Sequence, residues 1–159
     1  MCGIAGIMYK GTEGVFDTGE ALIRMLDGCQ HRGPDSTGFA LYDKANPGVL
    51  KLRFFLGTDS DSKTAIDTIR QRLLVLKAMI LDESEIGDNY RVTVRYAGDV
   101  QKLAYEMEHT AKVISIGTSL EIVKDVGSAH EVDDRYAVHS YRGTHGLGHV
   151  RLVTESDVK

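Results

Sequence analysis

Met1 is followed by Cys2-Gly3-Ile4-Ala5-Gly6-Ile7, which puts a thiol one cleavage away from the N-terminus. Removal of Met1 would leave one residue carrying both a thiol nucleophile and a free α-amine. Such an amine has an ordinary pKa of about 7.7–8.0, well below that of lysine, so part of it is unprotonated at neutral pH. Nucleophile and general base then reside on the same residue, and the amine can take the thiol proton directly or through water. Read alone, Cys2 is equally a small apolar residue at the start of a strand.

Two more segments concentrate chemistry-bearing side chains. The first is His31-Arg32-Gly33-Pro34-Asp35-Ser36-Thr37-Gly38, a tight turn after a helix in which Asp35 can accept from backbone amides. Gly38 there suits close backbone approach. The second runs from Gly143-Thr144-His145-Gly146-Leu147-Gly148-His149 through Val150-Arg151-Leu152-Val153 to Thr154-Glu155-Ser156. Leu147 to Val153 reads as a strand, so His149, Arg151 and Val153 share a face. An arginine on a mostly apolar strand needs a partner. That partner is either a carboxylate of the chain or the carboxylate of a ligand, which a guanidinium grips with two parallel hydrogen bonds as lysine cannot. His139, His145 and His149 crowd the same region. The glycines around them disfavour the helix that would bring His145 and His149 together on a metal, so hydrogen-bonded packing is the expected role.

Taken in order, the CGI-x-G-I start, the RGPDS turn and the G-x-x-H-x-R-x-x-T stretch resemble the class II glutamine amidotransferases, which use an N-terminal cysteine nucleophile to release ammonia from glutamine. The wording RGPDS and the long spacer before the arginine strand look most like the amidotransferase subunit or domain of glutamate synthase-type and N-methylglutamate synthase-type enzymes. The resemblance implies that Cys2 is catalytic, that Arg151 grips the glutamine α-carboxylate and that Thr154 touches glutamine. It gives Arg32, Gly33, Asp35 and His149 supporting positions around the nucleophile. Glu155 departs from the histidine or asparagine that many members carry. No cofactor is implied for this half-reaction, and the implied partner is a synthase subunit or domain that takes the ammonia. A flavin or iron–sulfur centre would belong to that partner.

The family also supplies an oxyanion donor from an Asn-Gly pair downstream of the arginine strand. Here the two asparagines, Asn46 and Asn89, precede Pro47 and Tyr90. The expectation is that a further segment or a second polypeptide completes the site, and that these 159 residues alone hydrolyse glutamine slowly or not at all. The reading from another class is a truncated, non-catalytic domain that binds glutamine or serves the assembly of a larger synthase.

The elements that must hold these groups follow from periodicity. Cys2 to Tyr9 is apolar on both alternating faces and reads as a strand covered on both sides. Asp17 and Glu20 are spaced as a capping box for a helix bearing Ala21, Leu22, Met25, Leu26 and Cys29 on one side. That helix stops at Gly33-Pro34. Strands are expected over 39–43 and 49–56, with a turn at Asn46-Pro47-Gly48 between them. Ile66, Ile69, Leu73, Leu76 and Ile80 predict a long helix over 62–81. A half-buried strand follows over 91–96, then a helix over 100–110, strands over 112–116 and 120–123, and a helix over 128–136. The expected fold is α+β: the N-terminal part of the four-layer αββα sandwich of N-terminal-nucleophile hydrolases, a sandwich implied by the resemblance. Residues 1–56 and 119–159 form its amidotransferase domain, and 57–118 form an inserted α+β subdomain.

Composition bounds the function classes. The 159 residues are 42% hydrophobic, enough for a core, and carry a net charge of −4. That charge offers no basic stripe for nucleic acid. Two cysteines make a disulfide framework improbable and suit a reducing compartment. With no long apolar run and no signal-like N-terminus, the expected setting is the cytoplasm, away from membranes.

Overall fold

The computed structural model describes residues 2–10, 16–57 and 61–152. It contains two four-stranded sheets and divides into two compact units, 1–44 with 122–159, and 45–121.

In the first unit, β1 (Gly3–Met8), β2 (Ser36–Tyr42), β7 (Leu120–Val126) and β8 (His145–Arg151) form a sheet of order β1-β8-β2-β7. β8 lies between β1 and β2 and is antiparallel to both, with Gly3 and Thr37 flanking Val150 on either side. Helix α1 (Thr18–Asp27) packs on one face of this sheet through Leu22, Ile23 and Leu26. The strand beneath it is stripped of side chains to admit them. A Cβ on Gly146 would lie 2.8 Å from Leu22 Cδ1, and one on Gly148 would lie 2.7 Å from Leu26 Cδ1. On the other face Ile4 is 74% and Met8 71% exposed. The expectation that β1 is covered on both sides is therefore corrected among the described residues: apolar residues alternate on both faces, but α1 covers only one.

The expected capping box at Asp17 is also absent. The Asp17 side chain makes no cap bond and instead pairs with Arg142, while Glu20 pairs with Arg24 at 2.5 Å. The capping box is at Ser128 and Glu131, opening α4 (Ala129–Tyr136).

In the second unit, β3 (Val49–Phe55), β4 (Met79–Ile86), β5 (Asn89–Arg95) and β6 (Lys112–Gly117) form a sheet of order β4-β5-β3-β6. Leu50, Leu52, Phe54, Tyr90, Val92 and Val94 point to one face. They pack there with Ile66, Ile69 and Leu73 of α2 (Ser62–Val75) and Leu103 and Met107 of α3 (Val100–Glu108). The predicted helix over 62–81 ends early, at Val75. Lys77 turns through a left-handed conformation (φ 60°), and Ile80 belongs to β4 rather than to the helix. Ile80 keeps its apolar partners by strand pairing with Val94, so helical spacing alone did not reveal the break. The expected division at 56/57 and 118/119 differs from the one formed. β3 pairs with β5 and β6 in the second sheet, whereas β7 joins the first beside β2. Strand partners, which lie far apart in sequence, set these boundaries.

The opposite face of the second sheet carries a buried charge cluster. Glu121 accepts from Arg91 Nε at 2.9 Å and from Arg53 Nη2 at 3.3 Å, and lies 3.4 Å from Lys51 Nζ. Arg53 is 5% and Glu121 7% exposed. Burial pushes the Glu121 carboxyl upward, but the hydrogen bond from Arg91 and the charges of Arg91, Lys51 and Arg53 prevail and hold it below the ordinary carboxylate range. Glu121→Gln removes the one charge shared by three cations. The expected loss is about 3–5 kcal/mol in urea unfolding at neutral pH. Because the folded carboxyl is depressed, the wild-type contribution is fully present above the unfolded value of about 4.3 and disappears as pH falls through the lowered folded value. The wild-type advantage over Glu121→Gln should therefore shrink in acid; an advantage independent of pH would contradict this account.

Candidate active site

The three sequence segments singled out above converge at one end of the first sheet. Gly3 pairs with Val150 and Ser36 with Arg151, and Cys2 immediately precedes the paired part of β1, so Cys2 and Arg151 each adjoin the same Gly3–Val150 pair in sequence. Directly opposite residues in an antiparallel pair point to the same face, with Cβ atoms about 4.5–5.5 Å apart. Arg151 and Ser36 thus occupy neighbouring positions on the face that α1 leaves uncovered, at the end of the sheet where Cys2 leads into β1. Cys2 is exposed, Arg151 half-buried and Ser36 buried. His149 follows on the same face, opposite Ile4 and Gly38.

The RGPDS turn is held against the end of β8 by backbone contacts. The Asp35 N–H donates to the Arg151 carbonyl at 3.2 Å. Gly33 is buried against the same strand: a Cβ there would lie 2.5 Å from the Arg151 nitrogen and 2.6 Å from the Val150 oxygen. Gln30 ties this turn to α4, donating to the Gly33 carbonyl and accepting from the Ala129 N–H, both at 2.9 Å. Behind it, Gly127 N–H donates to the Asp35 carbonyl at 2.9 Å, and the Thr37 hydroxyl donates to the Gly127 carbonyl at 2.8 Å. Gly33 and Asp35 therefore position the arginine strand. Arg32 is exposed, at the end of a short 3-10 helix (Gln30–Arg32). Thr154 lies outside the described residues.

The histidines separate into different environments. His139 pairs with Asp133 at 3.0 Å, and His145 stacks on Tyr42 with ring centroids 4.3 Å apart. His145 and His149, four residues apart in one strand, are separated by about 13 Å. Among the described residues there is no group of three His, Cys, Asp or Glu side chains that could hold a metal ion. Nor is any described helix long and apolar enough to cross a membrane. A hollow of about 550 Å³ lined by Ile7, Tyr9, Asp17, Glu20, Ala21, Arg24 and Met25 lies toward the other end of β1 from Cys2.

Sequence reasoning missed Ser36 and Gln30 as parts of this arrangement. The buried Ser36-Thr37 pair at the start of an apolar strand was the available signal for Ser36. Nothing local marked Gln30, whose partner Ala129 is 99 residues away.

No family model matches this sequence. Over 99% of its length the chain is 34% identical to a protein from Methanothermobacter thermautotrophicus named "Putative glutamine amidotransferase". It is 32% identical, again over 99% of its length, to "Glutamine amidotransferase-like protein GlxB" of Rhizobium meliloti. Both relatives carry the words glutamine amidotransferase in their names. The chain spans about half of each relative, 54% and 52%.

The contact at Gly33 is directly testable. Gly33→Ala forces a methyl into the backbone of Val150 and Arg151, and is expected to destabilise the chain by about 1–3 kcal/mol, the cost of overpacking. Thermal unfolding measures the loss; an unchanged midpoint would show that β8 is not seated on this turn.

Proposed function

We propose that this chain is the glutamine-hydrolysing domain of a class II glutamine amidotransferase, and that its first sheet belongs to an N-terminal-nucleophile αββα sandwich. The observation that carries the reading is that Cys2, the Arg151 strand and the RGPDS turn come together at one end of three hydrogen-bonded strands. The likeness of nearly the whole of this chain to about half of each of the two named relatives supports a glutamine amidotransferase reading.

In this reading Met1 is removed and the Cys2 α-amine takes the thiol proton. Sγ attacks the side-chain carbonyl carbon of glutamine while Arg151 holds the α-carboxylate with a bidentate fork. The tetrahedral intermediate collapses with transfer of the amine-held proton to the leaving nitrogen, releasing ammonia and leaving a glutamyl thioester. Water then adds to the thioester, and glutamate departs as the thiol is restored. Ser36 and His149 flank the reacting groups, whereas Gly33 and Asp35 act through the strand they hold. Ammonia passes to a synthase partner. The oxyanion donor is not an Asn-Gly pair of these residues, because Asn46 and Asn89 are followed by Pro47 and Tyr90.

Two substitutions in the complete enzyme test this assignment. Cys2→Ser should lower glutaminase turnover by several orders of magnitude while glutamine binding persists, because the grip lies at Arg151. If Cys29→Ser were the damaging change instead, the nucleophile would be misassigned.

Arg151→Lys keeps the charge but loses the fork, so glutamine affinity should fall by about 1.5–3 kcal/mol. A lowered melting temperature with unchanged glutamine kinetics would make Arg151 a structural residue.

A further inference from the structure

We propose that Cys29 is a second functional thiol, which closes a reversible disulfide with Cys2 when a peroxide oxidises the protein. The inference rests on Cys2 being the reactive thiol of the proposed function. Both cysteines are free, Cys2 exposed and Cys29 half-buried.

Cys29 follows α1 and leads into the short helix of the RGPDS turn. Its side chain lies on the backbone of the residue after Cys2. A Cβ built on Gly3 would sit 2.9 Å from Cys29 Sγ and 3.0 Å from Cys29 Cβ. The Cα atoms of Cys2 and Gly3 are consecutive, about 3.8 Å apart. Cys29 therefore touches the residue next to Cys2, although 27 positions divide the two cysteines in sequence.

A disulfide needs Cβ atoms about 3.5–4.5 Å apart. Cys2 precedes β1 and lies outside its ladder, and Gly3 supplies a joint without a Cβ, so the first residue can turn from the Arg151 side toward Cys29. The Cys29 thiol donates a long hydrogen bond, 3.9 Å, to the Met25 carbonyl oxygen.

The chemistry balances with a hydroperoxide as the oxidant. Cys2 thiolate attacks one oxygen of hydrogen peroxide, the O–O bond breaks, and Cys2 becomes a sulfenic acid while the departing hydroxide takes up the proton the thiol had lost and leaves as water. Cys29 sulfur then attacks the Cys2 sulfur; the S–S bond forms, the S–OH bond breaks, and the hydroxyl leaves as a second water with the Cys29 proton. Two thiols lose two electrons, and hydrogen peroxide gains them. The bridge takes the nucleophile away from Arg151 and shields it from the irreversible sulfinic and sulfonic stages, while a dithiol restores it.

Intact mass and peptide mapping of the reduced full chain after hydrogen peroxide treatment provide the test. The wild type should become two hydrogens lighter, yield a joined Cys2–Cys29 peptide and return to its starting mass with dithiothreitol. Cys29→Ser should keep the basal glutaminase activity but gain two or three oxygens at Cys2 that dithiothreitol does not remove. Sulfinic or sulfonic Cys2 in the wild type without a bridge, or a bridge only between chains, would overturn the proposal. The mass readout is independent of turnover. A bridge in a protein whose activity ignores Cys2→Ser would sink the functional reading alone, and Cys2-dependent activity without a bridge would sink this one alone.

Discussion

β8 is hydrogen-bonded on both sides, and the first unit depends on that constraint. A strand held between β1 and β2 cannot slide or rotate alone, because a slip of one residue would reverse every side chain. Its two faces have been given opposite tasks. Gly146 and Gly148 leave one face bare, so that Leu22 and Leu26 of α1 lie against the backbone. The residues between and beyond them, His145, Leu147, His149 and Arg151, must then point the other way. Packing of the helix thus fixes the direction in which the arginine points, without touching it.

The same register makes an edge strand useful. β1 borders the sheet with β8 as its neighbour, so Cys2 leads directly into Gly3, the partner of Val150. The RGPDS turn closes this end by backbone contacts through Gly33 and Asp35. A site built this way has the geometry of its backbone set by ladders and turns.

The second unit solves a different problem. Its sheet hides an apolar face under α2 and α3, and on the other it buries a carboxylate among three cations. Such a cluster is held by mutual compensation: each charge is tolerable at that depth only because the others are present. Glu121 is the second residue of β7 (Leu120–Val126).

Much of the candidate site was legible in the sequence, because strand alternation and turn chemistry are local. The pattern around His149 and Arg151 reads as one face of a strand, and Gly33-Pro34-Asp35 reads as a turn, without knowledge of partners. The helices over 100–110 and 128–136 were legible for the same reason, each carrying its own periodicity and cap. What tertiary structure decided was pairing. The sequence does not say that β3 belongs with β5 and β6, that Ile80 leaves a helical pattern to pair with Val94, or that Cys29 lies on Gly3. Each depends on contacts between distant residues, and a local pattern satisfied equally by two structures is resolved only when one finds its partner.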